Sequence, residues 1–224
     1  GWGVWLLLAA LGLGVYGVIA TGALQKLAAP AAPAPTPSGV VDLAVVPAGA
    51  QVFLYIGRGP AVAADLPVGQ PHEFVVFHDG LRPTRVAGPE GASWEEVEGR
   101  PRYELAVQPQ PASSSAEAGD FGPPLGDVSA DAEGPTGAVR VVTNPPGAKV
   151  YRYLGLGPAL QLRVGSIHEG QELLVVHPGY ETRRVVIGPS DWERIEGVPR
   201  ASLRVELPEV PELPALSTTD SLED

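Results

Sequence analysis

The chain has 224 residues, enough for one large domain or two small ones. Its 28 glycines and 25 prolines, against only 18% charged residues, argue against a mostly helical protein, because each interior proline costs a helix about 3 kcal/mol. A formal net charge of −11 argues against a nucleic-acid partner, and the absence of cysteine excludes disulfides, thiolate zinc sites and a thiol nucleophile. With no methionine either, residue 1 is a processed terminus or the start of a fragment.

No charged side chain precedes Lys26. Residues 2–23 are apolar or small, a run long enough at 1.5 Å per residue to cross roughly 30 Å of hydrocarbon. Trp2 and Trp5 stand at one end, where indoles favour the membrane interface. Residues 1–25 therefore predict an uncleaved transmembrane helix, since a basic n-region of a signal peptide is missing. Ala10, Gly14, Gly17 and Thr21 recur at helical spacing and form a small-residue stripe suited to packing against another helix.

Residues 26–39 form a Pro/Ala linker, with Pro30, Pro33, Pro35 and Pro37 favouring an extended polyproline II spacer. Beyond it the chain repeats itself. The run from Pro47 through Gly49, Ala50, Val52, Tyr55, Gly57, Gly59 and Pro60 recurs as Pro145, Gly147, Ala148, Val150, Tyr153, Gly155, Gly157 and Pro158, a register of 98 residues. Residues 73–80 match 172–179, and the block Trp94-Glu95-x-Val97-Glu98-Gly99-x-Pro101-Arg102 matches Trp192-Glu193-x-Ile195-Glu196-Gly197-x-Pro199-Arg200. The copies span residues 40–107 and 138–208. Between them, residues 108–137 carry acidic groups and no periodic apolar pattern, which predicts a solvated flexible linker. Residues 209–224 read as a tail of the same kind.

Within each copy, period-two alternation at Val41, Leu43 and Val45, and at Leu203, Val205 and Leu207, marks half-buried strands. Residues 74–77 and 173–176 are apolar on both faces, as expected where two layers pack. Ser93 and Ser190 are candidate caps of a short helical turn, closed by Glu96 and Glu193. The expectation is all-β: two small sandwiches of about six strands, each of roughly 70 residues and able to fold alone.

Pro145-Pro146-Gly147-Ala148-Lys149-Val150-Tyr151, with His177-Pro178-Gly179-Tyr180, resembles the PEGA domain, a small β-sandwich named for its Pro-Glu-Gly-Ala motif. The first copy offers Pro47-Ala48-Gly49-Ala50 with Asp79-Gly80-Leu81. The family usually follows its first hairpin with an Asp-Gly turn and a Gly-x-Thr-Pro segment. Here Gly57-Arg58-Gly59-Pro60 and Gly155-Leu156-Gly157-Pro158 depart from that pattern. The resemblance implies extracytoplasmic binding or structural modules tethered to bacterial membrane proteins, and so the bacterial inner membrane, although Lys26 alone would favour the opposite sidedness.

No catalytic, cofactor-binding or metal constellation stands out. His78 and His177 occupy equivalent places before a turn, which makes them part of the repeat unit, and His72 and His168 lie in loops without ligand spacing. The glycine pairs lack a P-loop lysine, and Glu95 with Glu98 reads as solvated charge. Trp94 and Trp192 are expected to close one end of each sandwich, with a binding surface as the rival reading. Arg102 and Arg200, and Arg152 and Lys149 where the first copy has Leu54 and Gln51, are the basic interface candidates. The expected function is a non-catalytic scaffold or accessory subunit contacting the lipid bilayer and other membrane-protein subunits, with the sensory or envelope-binding region of a bacterial receptor as the alternative.

Overall fold

The computed structural model describes residues 38–90, 93–128 and 134–211. The expected transmembrane helix, its stripe of Ala10, Gly14, Gly17 and Thr21, and nearly all of the Pro/Ala linker lie outside them. Among the described residues no helix is long and apolar enough to cross a membrane. The described residues are mostly β-strand. The first copy supplies β1 (Gly39–Val46), β2 (Gln51–Arg58), β3 (Ala61–Pro67), β4 (Glu73–Phe77), β5 (Thr84–Ala87), β6 (Glu95–Val97) and β7 (Arg100–Val107). After a five-residue helix, α1 (Ser115–Gly119), the second supplies β8 (Thr136–Thr143), β9 (Lys149–Leu156), β10 (Ala159–Val164), β11 (Gln171–Val176), β12 (Arg183–Ile187), β13 (Glu193–Ile195) and β14 (Val198–Glu206).

These strands form three sheets, ordered β10-β1-β14-β13, β12-β11-β2-β9-β4-β5 and β3-β8-β7-β6. Every sheet mixes the two copies. β1 lies between β10 and β14 of the second copy, parallel to β14 with Leu43 opposite Leu203. β8 lies in the same way between β3 and β7 of the first copy, parallel to β7 with Val141 opposite Leu105. Each lobe thus takes its first two strands from one copy and the other five from its sister. The expectation of two self-contained sandwiches is corrected: the copies are intertwined.

The exchange is symmetric about one point. β2 and β9 are equivalent strands and run antiparallel, pairing Phe53 with Tyr153, Leu54 with Arg152 and Tyr55 with Tyr151. Leu54 and Arg152 are 98 residues apart and so occupy the same place in the two copies. A pseudo-twofold axis therefore passes between them, and β2·β9 joins what would be two three-stranded half-sheets into one six-stranded sheet.

The crossings fall at the two Gly-Pro dipeptides of the repeat. Only Gly59 and Pro60 separate β2 from β3, and only Gly157 and Pro158 separate β9 from β10. At both places the chain leaves the central sheet and runs on into an outer sheet of the other lobe. The Gly-Ala turn of the opposite copy holds each crossing: Gly59 N–H donates to the Ala148 carbonyl at 2.8 Å, and Gly157 N–H to that of Ala50 at 2.8 Å. A Cβ on Gly59 would collide with the Thr143 side chain, which explains the glycine there.

Alternation decides which side chains are buried. One face of the central sheet packs on the two outer sheets. Val41, Leu43, Val45, Val52, Leu162, Leu173 and Val175 close one core, and Ala63, Leu66, Phe74, Val76, Val139, Val141 and Val150 the other. Each fully buried aliphatic contributes about 1.5–3 kcal/mol. The central sheet's other face carries Phe53, Val75, Tyr151, Tyr153, Leu174 and Val176, and residue Phe121 of the connecting segment packs on it. The segment expected to be a solvated linker is therefore partly a strap.

Residues 98–99 and 196–197, all with positive φ, form two-residue hairpin turns, and the prolines after them lie within β7 and β14. The helical turn before β13 spans Pro189–Asp191 and begins at Gly188, whose N–H donates to Asp191 Oδ2 at 2.7 Å. Glu193 and Glu96, expected to close capping boxes, are strand residues.

An isolated second copy, residues 134–211, keeps β8 and β9 but lacks the two strands that complete its own lobe. It should fold only by pairing with another chain, so that its melting temperature rises with protein concentration. A monomeric fragment melting cooperatively at a concentration-independent temperature would contradict the exchange.

Candidate functional site

The repeated Trp-Glu block forms two equivalent hairpins, β6–β7 and β13–β14. In each, the tryptophan lies just before the first strand and its ring turns inward. Trp192 packs on the core completed by β1, so close to Gly39 that a Cβ there would overlap the indole. Trp94 meets Gly137 in the same way. Gly39 and Gly137 open the two exchanged strands, so each indole seals a strand contributed by the other copy. Both Nε1 groups are buried without a hydrogen-bond partner. An indole chosen for binding would be expected to present that N–H, so the packing role explains these rings better.

On the outer face of the central sheet, Arg85 reaches across β4. Its guanidinium pairs with Glu73, donates to Gln51 Oε1 and to the Phe121 carbonyl, and donates to the Gly122 carbonyl at 3.1 Å. It also stacks over the rings of Phe53 and Tyr153 at 5.4 and 5.5 Å. Glu73 accepts a further bond from the Leu125 N–H at 2.8 Å, and Gln51 Nε2 donates to the Gly122 carbonyl at 2.9 Å. Burial pulls the Arg85 guanidinium below its ordinary value. The Arg85 and Glu73 side chains are 8% and 3% exposed, so the pair is a desolvated clamp that fixes the strap by its backbone. Phe121 completes the lock, 5.3 Å from Phe53 and stacked at 6.0 Å on Phe77.

Repeat equivalence sets Glu172 and Arg184 opposite this clamp. They too form an ion pair, at 2.6 Å, but Arg184 remains 66% exposed. Beside them Tyr55 and Tyr151 pack at 5.4 Å, and burial, with Glu172 and Tyr55 adding to it, raises the Tyr151 phenol to about 12.

The basic interface candidates do not converge. Lys149 faces outward over the Phe77 ring at 5.6 Å, whereas Arg152 lies on the inner face of the same strand, opposite Leu54 and Phe74. Arg200 ties β14 to the exchanged β1 through Asp42 at 3.2 Å. The Gln161 hydrogen bond first, and then Arg200, hold the Asp42 carboxyl below its usual range. Arg102 belongs to the other lobe and lies 3.9 Å from Glu98. His78 and His177 bond to the carbonyls of their own turns, at 3.1 and 2.8 Å. Among the described residues no three His, Cys, Asp or Glu side chains are grouped to hold a metal.

Sequence reasoning missed the Arg85–Glu73–Phe121 clamp. Two signals pointed to it: an acid opening the apolar run Glu73-Phe74-Val75-Val76-Phe77, and the lone aromatic of the connecting segment, Phe121.

No family model, no curated protein and no solved structure matches this chain.

Trp192→Ala should lower stability by about 3 kcal/mol, the cost of emptying an aromatic site. Trp192→Phe should cost much less, since it also removes an unsatisfied N–H. Urea unfolding checks both. An alanine variant as stable as the parent would return Trp192 to the surface-binding role.

Proposed function

We propose that this chain is a membrane-anchored, non-catalytic scaffold or accessory subunit. On this reading a transmembrane helix in residues 1–25 and a PEGA-like β-rich body together contact other subunits of a larger membrane assembly. The bacterial inner membrane, with the body on the extracytoplasmic side, is the location that goes with it. The apolar opening segment and the PEGA-like motifs support the anchor and the compartment.

The observation that carries the contact role is the pair of hairpin tips. Val97 is 39% exposed at one, and Ile195 and Val198 are 46% and 43% exposed at the other. Two equivalent apolar tips on separate lobes of one body offer paired docking points, and engaging both raises the effective concentration of the second contact.

Strand order supports a tethered role as well. β1 is the first strand after the Pro/Ala segment and runs parallel to β14, the last. Tension entering at Gly39 and resisted at Glu206 loads the ladder from Val40 to Val46 in shear, so its bonds share the load instead of opening one at a time. A body hung from its N-terminus gains from that geometry.

Gentle detergent extraction of the full chain should co-purify a stoichiometric set of membrane subunits. I195S/V198S should lose them while keeping its thermal transition. A wild-type chain that emerges without partners would contradict the proposal.

A further inference from the structure

At the pseudo-twofold axis the copies differ in one decisive way: Arg152 stands where the first copy has Leu54. Its row on the inner face of the central sheet is otherwise apolar, running through Val185, Leu173, Leu54, Phe74 and Val86. Burial lowers its guanidinium to about 10, so it is still a cation at neutral pH. The ion pairs of the described residues engage Arg82, Arg85, Arg102, Arg140, Arg184, Arg200 and Arg204, but not Arg152. In a chain where 26 acidic residues outnumber 15 basic ones, an arginine drawn into the sheet without a carboxylate among the described residues needs a reason.

The surroundings supply one. Arg152 lines a shallow, open cleft at the seam between the lobes, with enclosed room for about one water molecule. Pro71 and His72 line it from the loop after β3, Leu162 and Arg163 from β10, and Val128 from the strap. Arg163 is exposed and likewise has no ion pair among the described residues. Among the described residues no aspartate or glutamate lines the cleft. His72 is buried, and its Nε2 donates to the Pro67 carbonyl at 2.8 Å, which leaves Nδ1 as the free ring nitrogen. Burial, ahead of the Arg152 charge, lowers the His72 imidazole against the raising effect of that hydrogen bond, so the ring senses charge placed on Arg152.

We infer that this cleft is a binding site for a single carboxylate group, held by the Arg152 fork and screened at its mouth by Arg163. A carboxylate matches the planar guanidinium with two parallel N–H···O bonds and offsets the cost of burying it. The inference is independent of the scaffold proposal, because it rests on the seam alone and its test needs no partner subunit.

The test follows the His72 ring resonances of the full chain by NMR during titration with sodium acetate, against sodium chloride at equal ionic strength. Acetate should shift His72 saturably, leaving His78, His168 and His177 in place. Arg152→Leu restores the residue found at the equivalent place in the first copy, so the sheet accommodates it. That variant should keep its thermal transition and weaken acetate binding about ten-fold or more. Arg152→Lys should bind at an intermediate level. An unshifted His72 in every one of these proteins, or equal responses to acetate and chloride, would overturn the inference, as would an Arg152→Leu variant that binds as well as the parent.

Discussion

The antiparallel pairing of β2 with β9 is the contact on which the rest of the molecule depends. Because these strands are equivalent, their pairing imposes a pseudo-twofold axis, and the other strands are exchanged symmetrically about it. β1 must enter the lobe of the second copy once β2 is committed there, since only the short Pro-x-Gly-Ala turn joins the two. β8 follows β9 for the same reason. The crossings at Gly59-Pro60 and Gly157-Pro158 then carry each copy into the opposite lobe. One body with two cores results, in which neither copy holds a complete core.

The strap adds a second, asymmetric constraint. A duplicated chain has only one segment between its copies, so only one half of the outer face receives Phe121 and the buried Arg85–Glu73 clamp. The equivalent pair, Glu172 with Arg184, is left partly in water. Duplication followed by fusion thus made equivalent residues inequivalent. The same holds inside the seam, where Leu54 fills space and Arg152 carries charge. Differences of this kind are where a duplicated module acquires properties that its single ancestor could not have.

Much of the architecture was legible in the sequence because it follows from local rules. Alternation located β1 and β14, doubly apolar runs located β4 and β11, and the repeat register gave the equivalences. The exchange was not legible. Period-two patterning tells a strand which face to bury but not which neighbour to choose, and equivalent strands offer identical partners. The clamp escaped for a related reason. Glu73 and Arg85 look like surface charges until the strap covers them, and a single Phe121 among acidic and small residues gives no periodic signal. The four basic candidates failed to converge because parity along β9 sends Lys149 and Arg152 to opposite faces.

The exchange itself admits a direct measurement, made clean by a sequence without cysteine. Ala44 on β1 is exposed and lies opposite Arg204 on β14, whereas the residue equivalent to Arg204 in its own copy is Ala106 on β7. Neighbouring strands are about 4.8 Å apart, within the Cα range of a disulfide. Under mild oxidation A44C/R204C should cross-link rapidly within one chain and A44C/A106C should not. Rapid cross-linking of A44C/A106C, with A44C/R204C remaining reduced, would show that each copy closes on itself and would contradict the intertwined fold.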